Sequence, residues 1–444
     1  MANDKSAVWC GTALALGALV IAPLTLSGQG PVEDPMKDVA ERYVKLVLAV
    51  GQHDADYVDA FYGPPAWRQE AEASPIGLAT IDAQAAVLER DVASSPAAAP
   101  VARDAELWAL RRQYLERQVA ALGSRVAMLQ GKQFSFDEES AALYDAVAPV
   151  RAEAEFELAL SQLDAKLPGE GSLTERYDRF RQEFVIPPGR VDRVFQEAIR
   201  GCRERTLAHV ELPPEERFTV EYVTGKSWSG YNWYQGQFKS LIQVNTDLPI
   251  YIDRAIDLAC HEGYPGHHVY NVLLEKALVR DRGWVEFTVY PLFSPQSLIA
   301  EGTANLGIEV AFSRADRIQF EKDVLFPLAG LDPGRVQEYY DVLALIERVS
   351  YAGNEAARRY LNGTIDREAA AAWLERYAMF TAPAAAQRVR FIDQYRSYVI
   401  NYNLGKDLVR AYIDRKAGRD RTPARRWREF AALLSSPRLP SGLK

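Results

Sequence analysis

Residues 103–130 set the pattern for most of the chain. Leu107, Leu110, Tyr114, Val119, Leu122, Val126 and Leu129 recur at spacings of three to five, opposite Arg111, Arg112, Glu116 and Arg117. That period puts one apolar face on a helix. Ser135-Phe-Asp-Glu138 and Ser172-Leu-Thr-Glu175 have the spacing of capping boxes, in which serine and glutamate satisfy each other's free backbone amides at a helix start. Ser294-Pro295 reads as an N-cap followed by proline at the first helical position, where a missing amide costs nothing. Residues 366–377 and 382–415 continue the helical period. The strand-helix alternation of βαβ units is absent, so the pattern predicts a mostly α-helical protein.

Residues 217–248 break this pattern. Phe218, Val220 and Tyr222 alternate, as do Leu241, Gln243 and Asn245, with glycines and aromatics between. This predicts a small antiparallel sheet with a connecting loop. The aromatic run 228–236 is expected either to wall a cleft or to pack under the loop. Pro168–Gly171 and Pro187–Gly189 are turn-like, and the second would divide residues 31–444 into subdomains 31–188 and 189–444. Residues 7–26 carry no charge and are followed by small residues. Residues 1–30 therefore read as a signal peptide, or as an uncleaved anchor long enough to span a bilayer. Export follows: a periplasmic or secreted protein, touching the inner membrane only through such an anchor.

Composition narrows the function classes. Of 444 residues, 48% are hydrophobic and 25% charged, ordinary for a globular chain. The 52 basic residues against 60 acidic ones leave a net charge of −8, which argues against a nucleic-acid partner. The basic run at 418–428 reads as a solvated face. Three cysteines cannot build a disulfide framework, and the spacing of Cys202 and Cys260 gives no reason to expect a bridge.

The informative feature is histidine. The chain has 5, and three of them, His261, His267 and His268, fall in the run Cys260-His-Glu-Gly-Tyr-Pro-Gly-His-His268. A zinc hydrolase helix presents His-Glu-x-x-His, with both imidazoles on one face and the glutamate reaching the water that the metal activates. Here the second histidine comes six or seven residues after the first. On a regular helix His268 would lie only about 20° from His261 but about 10 Å along the axis. That gap is long for one zinc at about 2.0–2.1 Å from each nitrogen. Pro265 and Gly266 make a regular helix unfavourable there. A bulge looping out two residues would instead make His267 the second ligand. Cys260 would point about 100° away from His261 on a helix, which suits packing. His53 and His209 have no partner signal and read as surface residues. The helix after Ser294 offers Glu301 as third ligand, flanked by small residues that permit close approach. Glu309 is its rival, and Asn305 could orient a ligand from one turn away.

His-Glu-Gly-Tyr-Pro-Gly-His-His, followed about forty residues later by Ala300-Glu301-Gly302, resembles a bacterial family of uncharacterised predicted zinc metallopeptidases. That family is similar at a distance to the thimet-oligopeptidase and thermostable-carboxypeptidase groups. The resemblance covers most of residues 36–415. Tyr57-Val-Asp-Ala-Phe-Tyr-Gly-Pro-Pro-Ala-Trp67 is similar to the family's N-terminal motif, and Tyr395-Arg-Ser-Tyr398-Val-Ile-Asn-Tyr402-Asn-Leu-Gly405 to its C-terminal one. Thr303 and Tyr270 depart from the family's usual tryptophan and glutamine. The resemblance implies a large helical metallopeptidase-like fold with a central cleft. It implies one Zn2+ held by His261, His267 and Glu301, with Glu262 as general base. It also makes Tyr398, Tyr402 and Arg396 candidates to stabilise the oxyanion, though the two tyrosines could equally share a helix face in the core. The expected activity is hydrolysis of a peptide bond, in short peptides. The alternatives are a metal-dependent amidase acting on a small non-peptide amide, and a non-catalytic binding protein that keeps its metal as a staple.

Overall fold

The capping signals operate as read. In the computed structural model, which describes residues 34–99 and 104–444, the Ser135 amide donates to Glu138 at 2.9 Å and the Ser172 amide to Glu175 at 2.7 Å. Each serine hydroxyl accepts from the amide three residues on. Helices Phe136–Tyr144 and Leu173–Gln182 start there. The segment read as a leader, residues 1–30, lies outside the described residues. The fold is mostly α-helical, and Pro35–Lys444 form one unit. Among the described residues no helix is long and apolar enough to cross a membrane.

The 103–130 period becomes the helix Ala105–Leu129, and Tyr114, Val119, Leu122 and Val126 of the expected face are buried, but the buried face is wider and also takes in Trp108, Arg111, Leu115 and Gln118. Arg111, expected on the polar side, is fully buried and donates to Glu286 at 2.5 and 3.1 Å. Apolar spacing alone could not show this, because the salt-bridge partner lies 175 residues away. The helical pattern over 382–415 is interrupted. Ala382–Tyr395 ends at Arg396, whose φ of +52° turns the chain, and Ile400–Ala417 follows after a short 3-10 turn.

The sheet segment holds β2 (Arg217–Val223), β3 (Gly230–Gly236) and β4 (Lys239–Asn245), while β1 (Val58–Phe61) pairs antiparallel with β5 (Val289–Pro291) elsewhere. The three strands lie in the order β2-β4-β3. The β3–β4 pair is antiparallel, as expected, but β2 runs parallel to β4. Alternation marks a strand and leaves its direction open. β4 takes the centre because it buries Ser240, Ile242 and Val244, whereas β2 is an exposed edge.

The helix Pro295–Ala311 runs through the core and is buried nearly all round, as a helix without a polar face must be. It lies directly against Ile400–Ala417. Gly302 and Gly405 face each other there so closely that a Cβ on Gly302 would sit 2.5 Å from the Gly405 carbonyl.

Candidate metal centre

His261 and Glu262 sit where a helix loses its register. Ile252–Leu258 passes into a π turn over Ala259–Gly263. The Tyr264 amide bonds back to the Ala259 carbonyl at 3.3 Å, five residues earlier. The chain leaves the helix at Tyr264, passes the cis Tyr264–Pro265 bond, and restarts as the helix His267–Leu274. Gly266 is required by contact: a Cβ there would collide with the His261 carbonyl. The extra residues are thus absorbed by a widened turn and a break, and His267 opens the next helix.

Three side chains converge. The Nε2 atoms of His261 and His267 are 3.1 Å apart. Glu301 brings one oxygen to 3.4 Å from His261 Nε2 and the other to 3.8 Å from His267 Nε2. One ligand atom from each of the three lies within 4.8 Å of the others. The Tyr398 hydroxyl donates to Glu301 Oε1 at 2.8 Å. Glu301 Oε2 is buried and, among the described residues, has no hydrogen-bond partner. A buried carboxylate oxygen without a donor is costly. Beside two imidazole nitrogens it makes a donor set that suits a borderline divalent cation. The residues therefore fit a metal ion. Burial lowers His267 to about 4 against the pull of Glu301, keeping the imidazole neutral, the form that ligates. Burial disfavours the charged form of His261, but the adjoining Glu301 carboxylate, 3.4 Å away, and the charge of Glu262 outweigh it and raise its pKa.

Glu262 is buried, with its carboxylate 4.0 Å from His261 Nε2. Burial pushes it up to about 7. β3 roofs it: a Cβ at Gly230 would lie 2.9 Å from Glu262 Oε1, and the Asn232 amide donates to the Glu262 carbonyl at 2.7 Å. Tyr231 and Asn232 line the pocket, so part of the aromatic run is a cleft wall, whereas Tyr234 is buried against Glu275. Asp59, Asn271, Tyr290 and Leu292 also line the pocket and were not singled out by the sequence reading. Asp59 stands inside the Tyr57–Trp67 motif, which was the available signal, and it accepts a hydrogen bond from Tyr231.

The other expected residues separate cleanly. Tyr398 lines the pocket. Tyr402 packs against it at 5.8 Å between ring centres; burial raises the Tyr402 hydroxyl, with Glu301 and Glu262 adding to the effect. Arg396 is not part of the pocket: it pairs with Glu139 at 2.7 Å, and that carboxylate also takes the Ser397 amide and hydroxyl. The left-handed turn at Arg396 sends it one way and Tyr398 the other. Glu309 is no rival ligand, because Lys406 at 2.9 Å and Arg410 at 2.7 Å hold it. Asn305 donates to the Glu301 backbone carbonyl at 2.8 Å and leaves its carboxylate alone. His268 is buried behind His267, between Ser240 and Glu216 at 2.9 Å each. Glu216 also receives the Tyr264 hydroxyl at 2.6 Å, so His268 props the chain break. His53 and His209 are exposed.

Cys260 corrects the sequence reading. It forms a disulfide with Cys202, 58 residues away, in the helix Val191–Leu207. The π turn aims Cys260 at that helix, a direction that sequence spacing does not carry.

No family model matches the chain, and no curated protein does. Among solved structures, one described as "the putative lipoprotein from Colwellia psychrerythraea" is 14% identical, with TM-score 0.48, over 81% of this chain and 65% of that one. This chain therefore spans just under two thirds of that protein's length. Another, described as "BsuCP", is 11% identical, with TM-score 0.45, over 90% of this chain and 88% of that one.

Proposed function

We propose that the chain is a metal-dependent hydrolase that cleaves peptide bonds of short peptides, with one zinc ion as cofactor. The observation that carries this reading is the buried, unpartnered Glu301 Oε2 beside the facing Nε2 atoms of His261 and His267, with Glu262 adjoining. His261, His267 and Glu301 would hold the ion. When bound, such an ion acidifies water and polarises a carbonyl. Glu262 takes the proton as general base and returns it to the leaving nitrogen; a carboxylate raised to about 7 is matched to that work near neutral pH. Tyr398 orients Glu301, and Tyr402 stands behind it as the further donor for developing negative charge. The motif resemblance to the zinc metallopeptidase family supports the same reading. An amidase acting on a small non-peptide amide would use the same groups. A metal staple without catalysis is less well supported, because the group holds three ligands among the described residues and leaves Glu262 beside them. We place the protein outside the cytoplasm on the strength of its Cys202–Cys260 bridge and uncharged N-terminal run, with no nucleic-acid partner.

The test pairs elemental analysis of purified protein with digestion of a mixed peptide library. Stoichiometric metal and new peptide termini are expected. Glu262→Gln should keep the metal and lose turnover. Retained turnover would remove Glu262 from the mechanism, and a metal-free protein that no added zinc can load would end the hydrolase reading.

A further inference from the structure

Several side-chain donors in the pocket beside the metal group are already committed to the protein, while several of its acceptors are not. Tyr231 donates to Asp59, Tyr398 to Glu301 at 2.8 Å, the Asn232 amide to the Glu262 carbonyl at 2.7 Å, and the Asn271 amide to the His267 carbonyl at 3.0 Å. Asn232 is only 7% exposed, and its side-chain oxygen is buried without a partner. Asp59 has one oxygen on Tyr231 and, among the described residues, no ion pair. Charge points the same way. Asp59, Glu262 and Glu301 line the pocket, and among the described residues no lysine or arginine does. Arg254, whose charge acts on Glu262, is held by Asp257 at 3.7 Å and Ser229 at 3.3 Å. With all three carboxylates ionised, a divalent cation held there would leave a single negative charge. A ligand with one positive charge and several N–H donors completes both accounts.

Resting on the hydrolase reading, we infer that Asp59, with the Asn232 side-chain oxygen, receives the free α-ammonium group of the substrate's first residue, so that the enzyme is an aminopeptidase. That ammonium lies two bonds from the scissile carbonyl carbon, and so it reaches the pocket that holds the metal group. The oxygen of water joins that carbon, the C–N bond breaks, and the leaving nitrogen takes its proton from Glu262. A single amino acid and a peptide one residue shorter are released. Burial pushes the Asp59 carboxyl up to about 7 against the Tyr231 hydrogen bond, and a cation beside it would favour its charged form. An N-acetylated terminus would bring neither the charge nor the donors, and it would leave Asp59 desolvated and unpaired.

The probe is a pool of synthetic tetrapeptides, each present with a free and an N-acetylated terminus, incubated with zinc-loaded full-length protein and read by mass spectrometry. Loss of the first residue from the free peptides is expected, at least tenfold faster than any cleavage of their acetylated twins. Asp59→Asn should shrink that ratio at least tenfold with metal content unchanged. The Glu262→Gln protein, which reads binding without turnover, should retain free over acetylated peptides from the same pool. Equal cleavage of both forms, loss of C-terminal residues, or recognition that follows a lysine side chain overturns the inference and leaves the hydrolase standing. No cleavage of either form by metal-loaded protein overturns both.

Discussion

Gly302→Ala adds one methyl group where two helices meet through their backbones. The new Cβ would lie 2.5 Å from the Gly405 carbonyl carbon and oxygen and 2.9 Å from its Cα, whereas ordinary contact begins at 3.4 Å. None of these atoms belongs to a side chain that could rotate away, so Pro295–Ala311 and Ile400–Ala417 would have to part by about 1 Å to restore normal contact. Two effects of opposite sign compete. Alanine in place of glycine inside a helix stabilises by about 1 kcal/mol. Overpacking costs about 1–3 kcal/mol, and a rigid backbone neighbour places this site at the upper end. The net expectation is a loss of about 1–2 kcal/mol. The site suffers more than the fold. Glu301 is the adjacent residue, and metal sites tolerate ligand shifts of only about 0.2 Å. A displacement of about 1 Å should therefore weaken metal binding at least tenfold. Urea unfolding of the metal-free protein reads the first quantity, and titration against a competing chelator reads the second. If Gly302→Ala unfolds at higher urea than wild type, as helix propensity alone would have it, and also keeps its metal affinity, the close approach inferred here is wrong.

The remaining predictions concern the supports of the site. Replacing Cys202 and Cys260 by serine should destabilise the protein by about 4 kcal/mol on chain-entropy grounds, and should also weaken metal binding because Cys260 adjoins His261; equal urea midpoints with and without reductant would contradict this. Glu286→Ala removes the carboxylate that pairs with the fully buried Arg111 and should destabilise the protein by about 1–3 kcal/mol with little change in metal content, measured by unfolding and elemental analysis. Burial opposes the charge of Glu309, but Lys406 and Arg410 outweigh it and hold its pKa below the usual range. A depressed folded-state pKa gives stability that is present above the unfolded value and lost as pH falls through the folded one. The stability gap between wild type and Glu309→Gln should therefore be open at pH 6 and close in acid; a gap that widens in acid would reverse the assignment.

What the sequence disclosed, and what it withheld, follows the range of the interactions involved. Local chemistry was legible: the capping boxes at Ser135 and Ser172, and the strands of 217–248. The buried Arg111, the Cys202–Cys260 bridge and the turning of Arg396 toward Glu139 were not. Each depends on a partner 58 to 257 positions away, and spacing rules reach no further than a few turns. The direction of β2 belongs to the same class, since alternation is identical in parallel and antiparallel strands. Asp59 was withheld for another reason. A lone acid in a motif becomes informative only when its surroundings show what it lacks.

The histidine spacing joins these two kinds of information. Six residues between His261 and His267 is the wrong number for one face of a regular helix, and a helix-based rule would discard the pair. Yet the residues that spoil the helix are the ones that restore the pair. Pro265 cannot continue the ladder, and Gly266 has no side chain to keep it off the His261 carbonyl. The turn before them widens by one residue, and a new helix begins at His267 with its own phase. A helix that starts afresh is free to aim its first imidazole wherever its packing sends it. Here His268 fixes that packing, anchored at once to Ser240 of the sheet and to Glu216. Neighbouring residues on a helix point about 100° apart, so once His268 is committed to the sheet, His267 must face Glu301. The choice between the two histidines is thus made by the one that does not reach the metal group.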